Sequence, residues 1–491
     1  MKALKMTINT RDKRSHINRE IYGNFTEHLG RCIYNGIYVG EDSEIPNTRG
    51  IRNDIVEAFK EIGMPVLRWP GGCFADEYHW RDGIGEKSQR PKMINTNWGG
   101  VTEDNSFGTH EFFDLCEQVG CEPYIAGNVG SGTVEELSKW VEYMTSDSIC
   151  PMADERRKNG RDKAWKLKYL GIGNENWGCG GNMTPEYYSS LYKQFRSFCK
   201  NHSGNELYPI ACGPSSSDYN WTEVMMKNLK GAYGWQAKGL ALHFYSIPDW
   251  NNKGKATEFD EEDYYRLLGT VYFTDELLTR HTEVMNRYDP EGEVALIVDE
   301  WGNWFDVEDG TNPGFLFQQN AMRDAITAAI SLNTFNAHSK RVKMANIAQA
   351  VNVLQSVILT EGEALVKTPT FYVFKLFKGH QEGELVYSHI ENETVSSFNV
   401  PAVSQSVSVK DGVMTVTLSN CSLTESYEIE ADILGFDAKT ADAEIITAEV
   451  HAFNDFNKPE QVTAKAYDAQ IVDGRLKVTL PACSVVAVTV K

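Results

Sequence analysis

The sequence lacks the features that identify several broad classes of protein. No uninterrupted apolar run is long enough to span a membrane, and residues 1–10 contain no apolar core of signal-peptide length. The ten cysteines include no Cys-x-x-Cys pair and no matching histidine spacing, which argues against a zinc site. We therefore expect a soluble, cytoplasmic protein whose cysteines are mostly free thiols in a reducing compartment.

Positive charge is also scarce. The chain has 48 Lys and Arg against 68 Asp and Glu, which gives a net charge of −20. Such a balance disfavours nucleic acid and anionic membrane surfaces as partners, because both repel an acidic protein. No glycine-rich phosphate loop follows a first strand, which counts against a dinucleotide-binding fold.

Tryptophan is absent after Trp304, and all eleven Trp lie between Trp69 and that residue. This change in composition marks a domain boundary in a chain of 491 residues, which is longer than one ordinary core requires. We predict a first domain over residues 10–378 and a second over 379–491, to which residues 1–9 add a strand.

The first domain alternates short apolar runs with helical stretches. Thr133 with Glu136 resembles a capping box, and Thr184 precedes a proline at the first position of another helix. Repeated strand–helix units predict a parallel α/β sheet, either closed as a (β/α)8 TIM barrel or open and doubly wound. The missing phosphate loop favours the barrel. The predicted strands are 64–69, 122–127, 168–173, 239–244 and 294–299.

The second domain has a different pattern. Residues 407–418 alternate apolar and polar side chains around Asp411-Gly412, and residues 471–480 do the same around Asp473-Gly474. Asp-Gly between alternating runs is a strong signal for a β-hairpin. With a further strand at 484–490, the pattern predicts an all-β sandwich of jelly-roll type.

Two glutamates, Glu175 and Glu300, each follow an apolar run and lie beside tryptophans. The carboxyl ends of barrel strands meet at one face, where catalytic residues collect. Paired carboxylates supply the acid and the nucleophile of glycoside hydrolysis, and indole rings offer flat faces to a sugar. The pattern therefore predicts a retaining glycosidase.

Each glutamate also has a purely structural interpretation. Glu175 can cap the following helix or pair with an arginine. At the second position, Asp299 and Glu300 are adjacent acids, and one of them can form a buried ion pair below the site. We assign that ion pair to Asp299 and the chemistry to Glu300.

Seven motifs follow one another along the chain, and together they carry a resemblance. They are YGNFTEHLGR at 22–31, LRWPGG at 67–72, YHWRDGIG at 78–85, GNE at 173–175, LHFY at 242–245, DEW at 299–301 and NVLQ at 352–355. In this order they resemble the α-L-arabinofuranosidases of glycoside hydrolase family 51, and the resemblance covers essentially the whole chain.

The resemblance implies a role for each matching residue. Glu175 is implied as general acid/base and Glu300 as nucleophile, on the fourth and seventh barrel strands. The other residues implied at the sugar site are Glu27, Arg68, Cys73, Asn174, Trp177, His243, Tyr245, Trp304 and Gln355, and Trp98 is a second candidate beside Trp177 for the leaving-group side. The resemblance implies no metal or other cofactor, and a homo-oligomer that is often a hexamer in this family.

Cys73 departs from the family pattern, in which many members have asparagine after Pro-Gly-Gly. The asparagine contact with the sugar is therefore lost or replaced here. Cys73 follows barrel strand two and Cys179 follows strand four, so both are expected on the catalytic face. From this position we hypothesise a disulfide between them, although a reducing cytosol disfavours it.

The expected activity is exo-acting release of α-L-arabinofuranosyl residues from arabinan- or arabinoxylan-derived oligosaccharides by double displacement. Carboxyl groups about 5 Å apart leave no room for water and select this retaining mechanism. One alternative is a clan-related β-glycanase or β-xylosidase on the same barrel. Another is a non-catalytic carbohydrate-binding or scaffolding protein, against which the second domain's lack of tryptophan counts.

Overall fold

A computed structural model describes residues 2–232 and 234–491, so Met1 of the predicted strand 1–9 lies outside the described residues. Within them, eight parallel strands close into a barrel. In chain order, they are Gly23–Phe25, Val66–Trp69, Glu122–Gly127, Tyr169–Ile172, Tyr208–Ala211, Gly239–Ser246, Ala295–Asn303 and Val342–Ala348. The predicted TIM barrel is confirmed, and the open, doubly wound alternative is wrong.

The sequence pattern missed the first, fifth and eighth barrel strands. Gly23–Phe25 has only three residues, and Tyr208–Ala211 contains a proline. In Val342–Ala348 a lysine and an asparagine interrupt the apolar run. The seventh strand continues four residues past the predicted end at 299, because its polar end is buried and still pairs with the sixth strand.

The helices surround the barrel and begin largely as their caps predict. Thr184 accepts a hydrogen bond from the Tyr187 amide, and Thr133 accepts one from the Glu136 amide. The capping box is only half formed, because the Glu136 carboxylate pairs with the His79 ring at 2.9 Å. The α-helices are Asn53–Glu61, Thr109–Val119, Val134–Thr145, Pro151–Lys158, Pro185–Phe198, Tyr219–Leu229, Glu261–Tyr288, Met322–Ala337 and Pro369–Phe377.

The remaining large sheet has ten strands within the described residues. Lys2–His16 runs parallel to Tyr427–Leu434 and antiparallel to Glu384–Ile390, which ties the start of the chain to its end. The sheet folds over so that its strands share one apolar core. Its other strands are Val403–Lys410, Val413–Asn420, Ala441–Thr447, Lys465–Tyr467, Ala469–Val472, Arg475–Leu480 and Ser484–Val490.

The two predicted hairpins in this sheet have the turn that Asp-Gly favours. Asp411 and Gly412 have φ of 49° and 79°, and Asp473 and Gly474 have φ of 51° and 75°. Positive φ at both central residues defines the type I′ turn, whose twist matches that of the strands. Among the described residues, no helix combines the length and apolarity needed to cross a bilayer.

Candidate active site

A β-bulge in the seventh barrel strand separates the two adjacent acids. Leu242 pairs with Val298 and His243 pairs with Glu300, so Asp299 is an extra residue in the ladder. Bulges of this kind re-aim side chains next to active sites. Glu300 lines a pocket at the carboxyl end of the barrel, whereas Asp299 lies below it.

The carboxylate of Asp299 is bonded to side chains inside the barrel. Its carboxylate accepts hydrogen bonds from the Tyr124 hydroxyl at 2.7 Å and from Asn346 at 2.8 Å. It also lies 3.5 Å from Nε of Arg68, which forms the buried ion pair expected for this residue.

Glu300 is held by two donors. Arg68 donates from Nη1 to Oε1 at 2.8 Å, and the Tyr245 hydroxyl donates to Oε2 at 2.7 Å. Burial alone raises the pKa of this carboxyl, but the positive charges of His243 and Arg68 outweigh burial and lower it below the ordinary value. Glu300 is therefore kept as a carboxylate, which is the form that a nucleophile requires.

Glu175 lies just past the fourth strand in an uncommon backbone conformation. Its φ is +44°, a left-handed value that costs a non-glycine residue about 1–3 kcal/mol unless its surroundings hold it. The surroundings include His243, whose Nδ1 lies 2.9 Å from Oε1 of Glu175. They also include Arg68, which donates to Oδ1 of the neighbouring Asn174 at 2.5 Å.

Asp76 anchors the same loop and was not identified from the sequence. Its buried carboxylate accepts backbone N–H bonds from Val129 at 2.7 Å, Gly130 at 2.8 Å and Asn174 at 3.0 Å. Burial raises the pKa of Asp76 to about 7, against the lowering effect of these bonds. Through its three hydrogen bonds, Asp76 fixes the loop backbone that presents Glu175.

His243 links the two glutamates. Its Nδ1 is 2.9 Å from Glu175 and 3.5 Å from Oε2 of Glu300. Burial lowers the pKa of His243, but the charges of Glu300 and Glu175 more than compensate and raise it overall. One oxygen of each carboxylate and this ring nitrogen all lie within 4.8 Å of one another.

Carboxylates that approach this closely favour a retaining over an inverting glycosidase. Retaining enzymes place their two carboxyl groups about 5–5.5 Å apart, whereas inverting enzymes need about 6.5–9.5 Å to admit a water. The arrangement can therefore deliver a nucleophile and a proton to one glycosidic bond.

A third carboxylate, Glu27, also lines the pocket. It accepts hydrogen bonds from Trp98 Nε1 at 2.8 Å, from the Phe74 amide at 3.1 Å and from Gln349 at 2.8 Å. Burial, followed by the charge of Glu300, raises the pKa of Glu27 to about 7 despite these three donors.

Comparison with known proteins identifies the family. Residues 58–263 match the family model of the α-L-arabinofuranosidase 1 domain, and residues 299–484 match that of the α-L-arabinofuranosidase C-terminal domain. An intracellular exo-α-L-arabinofuranosidase of Bacteroides ovatus is 52% identical over 492 residues, which cover 99% of this chain and 95% of the relative. The crystal structure of a GH51 arabinofuranosidase from Xanthomonas axonopodis pv. citri is 43% identical and superposes with a TM-score of 0.97 over 100% of both chains. The chain belongs to the α-L-arabinofuranosidases of glycoside hydrolase family 51.

The fold also matches arabinofuranosidases of lower sequence identity. The arabinose complex of a Thermotoga maritima α-L-arabinofuranosidase is 31% identical, with a TM-score of 0.88 over 99% of both chains. Enzymes of this family are retaining and exo-acting, and membership favours the arabinofuranosidase over the β-glycanase or β-xylosidase alternative.

The arabinofuranosidase pocket is lined by four of the nine residues that were predicted at the sugar site beside the two glutamates. Glu27, Cys73 and Tyr245 line it together with both glutamates, and Trp304 packs edge-on against Tyr245 at a centroid distance of 5.0 Å. Arg68, Asn174 and His243 lie behind the wall and contact the carboxylates or their loop.

Two predicted residues lie elsewhere. Gln355 is buried away from the pocket, where it accepts from the Asn303 amide at 2.9 Å and donates to the Asp324 carbonyl at 2.9 Å. Trp177 donates to the Gly213 carbonyl at 3.2 Å and lies outside the pocket lining, whereas Trp98 belongs to it.

Gln349 lines the arabinofuranosidase pocket, whereas Gln355, which the sequence assigned to the sugar site, does not. It follows the eighth barrel strand directly, and its Oε1 is buried with no hydrogen-bond partner among the described residues. The sequence signal was its position after a buried strand, but that strand was not predicted.

The hypothesised disulfide is present. Cys73 and Cys179 are joined, with their Cα atoms 5.5 Å apart. Their sulfurs lie 3.8 and 3.5 Å from Oε2 of Glu175. Among the described residues, two groups of metal-ligating atoms lie within 4.8 Å of one another: Cys73 and Cys179 with Glu175, and His243 with Glu175 and Glu300.

We expect Glu27→Gln to make stability less dependent on pH. Because the folded protein raises the pKa of Glu27 from 4.5 to about 7, it binds this proton more tightly than the unfolded chain does. The stabilisation is full below about pH 4.5 and is lost as the pH rises through about 7. The free energy of unfolding of the variant relative to wild type should therefore improve by about 3 kcal/mol between pH 4.5 and 8.

Denaturant unfolding at the two pH values measures this difference. Glutamine at position 27 can keep the hydrogen bonds of the pocket if the Gln349 amide rotates. Glu57→Gln makes the same change on an exposed side chain, and its difference from wild type in free energy of unfolding should not change with pH. Parallel pH profiles for wild type and Glu27→Gln would contradict the prediction.

Proposed function

We propose that this arabinofuranosidase removes terminal α-L-arabinofuranosyl residues from oligosaccharides by double displacement, with Glu300 as nucleophile and Glu175 as acid/base. One observation carries the proposal: carboxylate oxygens of the two residues and His243 Nδ1 lie within 4.8 Å of one another, and both carboxylates line one pocket. Glu27 is the third acid that lines this pocket, but it does not belong to the cluster that the other two form with His243.

In the first step, Glu300 attacks the anomeric carbon. Arg68 and Tyr245 hold one oxygen each, which fixes the direction of attack and keeps the group ionised. Glu175 donates its proton to the leaving oxygen, so the aglycone departs as an alcohol. A covalent arabinosyl-enzyme remains on Glu300.

In the second step, Glu175 acts as the base. It takes a proton from a water molecule, which attacks the anomeric carbon and releases Glu300 as a carboxylate. Two inversions give net retention of configuration. His243 holds Oε1 of Glu175 at 2.9 Å and keeps the carboxyl aimed at the bond in both steps.

The sugar is held by groups on the pocket wall. Glu27 and Gln349 offer acceptors and donors to furanose hydroxyls, and Trp98 and Trp304 offer ring faces. The unpartnered Oε1 of Gln349 gains a hydroxyl donor when the sugar binds. Asn174 lies just behind the pocket wall beside Glu175, and we propose that its side chain reaches the 2-hydroxyl of the bound sugar, a contact that strengthens in the transition state.

The natural substrates we propose are short arabinan- or arabinoxylan-derived oligosaccharides in the cytoplasm. The Bacteroides ovatus relative is named as an intracellular exo-acting enzyme, which supports this compartment and an exo mode. A homo-oligomer remains a prediction that sedimentation of the purified protein tests.

We expect the enzyme to hydrolyse 4-nitrophenyl α-L-arabinofuranoside with a kcat/KM at least about 10²-fold above that for the β-D-xylopyranoside or β-D-glucopyranoside. Pocket groups placed for furanose hydroxyls are left unpaired by the pyranosides, which lowers their transition-state binding. Product analysis on arabino-oligosaccharides should give, at early times, arabinose and the oligosaccharide shortened by one residue. Efficient cleavage of the xyloside or glucoside, or internal cleavage of an oligosaccharide, would overturn the assignment.

A further inference from the structure

The two sulfurs of the Cys73–Cys179 disulfide face one oxygen of Glu175. Cys179 Sγ lies 3.5 Å and Cys73 Sγ 3.8 Å from Oε2, and Oε1 is turned to His243 instead. Cys179 is exposed and Cys73 is half-buried, so solvent species reach the cluster. In the disulfide each sulfur is bonded to the other and is a poor metal ligand, but free thiolates are strong ones.

Reduction converts the cluster into a set of zinc ligands. A phosphine reductant attacks one sulfur and ends as the phosphine oxide with an oxygen from water, while each sulfur gains a hydrogen. Zn–S and Zn–O distances of about 2.3 and 2.0 Å give tetrahedral edges of about 3.8 Å between sulfurs and about 3.5 Å from sulfur to oxygen. The present sulfur–oxygen distances of 3.5 and 3.8 Å are close to that edge.

The backbone permits the required sulfur separation. The Cα atoms are 5.5 Å apart, and two unbonded sulfurs separate to about 3.8 Å by small rotations about their Cα–Cβ bonds. His243 continues to hold Oε1 of Glu175, which orients the carboxylate as a metal ligand.

We propose that reduction of the Cys73–Cys179 disulfide creates an inhibitory Zn²⁺ site made of the two thiolates and Oε2 of Glu175. Each thiol loses its proton on binding, and solvent supplies the fourth ligand. The ion occupies the oxygen of Glu175 that carries the transferred proton, so hydrolysis stops. This consequence rests on the proposed role of Glu175, whereas the metal site itself does not.

The spacing of the cysteines explains why no metal site was predicted from the sequence. The two residues are 106 positions apart and follow different barrel strands. Short Cys-x-x-Cys patterns describe sites built on one loop, and they carry no information about ligands that a closed barrel brings together.

The test uses the whole enzyme, oxidised or reduced with the phosphine and then freed of reductant under argon. We expect the reduced enzyme to bind one Zn²⁺ in equilibrium dialysis. Its kcat/KM on an arabino-oligosaccharide, whose leaving group needs the acid, should fall at least about 10²-fold, because the acid/base contributes about that much or more. A chelator should restore the activity. The oxidised enzyme should remain active and zinc-free at the same metal concentration.

Cobalt gives a readout independent of hydrolysis. Co²⁺ added to the reduced enzyme should produce the thiolate charge-transfer and tetrahedral d–d absorption bands, and Zn²⁺ should displace them. These bands test the site even if the arabinosides are not hydrolysed, which separates its failure from failure of the proposed function.

Two variants complete the test. Cys73→Ser/Cys179→Ser should abolish the cobalt bands and the zinc sensitivity, whereas Cys150→Ser, which removes a half-buried free cysteine elsewhere, should leave both intact. Equal zinc inhibition of oxidised and reduced enzyme would overturn the proposal. So would cobalt–thiolate bands in the double variant, or loss of activity on reduction alone that a chelator does not reverse.

Discussion

Glu300→Gln is expected to lower kcat/KM for 4-nitrophenyl α-L-arabinofuranoside by about 10⁴-fold or more, equivalent to about 5 kcal/mol of transition-state stabilisation. The amide has nearly the shape of the carboxylate and can still accept from Arg68 while the Tyr245 hydroxyl turns to accept from it. It cannot form the covalent arabinosyl-enzyme. Steady-state kinetics of the purified variant measure the loss.

The matched control is Glu57→Gln, which makes the same chemical change on an exposed side chain of the first helix and should keep wild-type kinetics. Thermal unfolding of both variants checks that they are folded. Activity of Glu300→Gln within tenfold of wild type would remove this residue as the nucleophile.

The position of the two proposed catalytic glutamates was predictable because both follow apolar runs. A strand buried on both faces is recorded directly in the sequence as consecutive apolar residues, and its carboxyl end lies at the catalytic face of a barrel. The runs before Glu175 and Glu300 are of this kind and correspond to the fourth and seventh strands.

Residues that depend on an exact backbone path were not predictable in this way. The bulge at Asp299 decides which of two adjacent acids lines the pocket. The sequence analysis chose Glu300, but no residue pattern predicted the bulge itself. Asp76 acts through three backbone amides, from positions 129, 130 and 174, that meet only in the folded barrel.

The positions of Gln349 and Gln355 depend on the backbone path in a similar way. Both follow the eighth strand within seven positions of its end, and the resemblance assigned the sugar-site role to Gln355. The strand ends at Ala348, so Gln349 projects at the catalytic face next to Glu27, at 2.8 Å. Gln355 turns back to the Asn303 amide. An eighth strand with a lysine and an asparagine in it left no apolar run from which to count.

Azide should rescue Glu175→Ala and Glu300→Ala with opposite stereochemistry. In Glu175→Ala, Glu300 still forms the arabinosyl-enzyme from an activated aryl arabinoside, and azide fills the space left by the acid/base. It attacks from the side of the departed aglycone, so the product is the α-L-arabinofuranosyl azide. In Glu300→Ala, azide takes the place of the nucleophile, and a single displacement gives the β-azide.

The size of the Glu175→Ala effect should depend on the leaving group. An oligosaccharide leaving group must be protonated as it departs, so kcat/KM for oligosaccharide substrates is expected to fall by about 10³-fold or more. Nitrophenolate departs without protonation, so kcat/KM for the nitrophenyl arabinoside, which reports the first step, should fall much less. Nuclear magnetic resonance of the azide products distinguishes the anomers. A β-azide from Glu175→Ala, or an α-azide from Glu300→Ala, would exchange the two roles, because the configuration of the product records on which side of the ring each carboxylate acts.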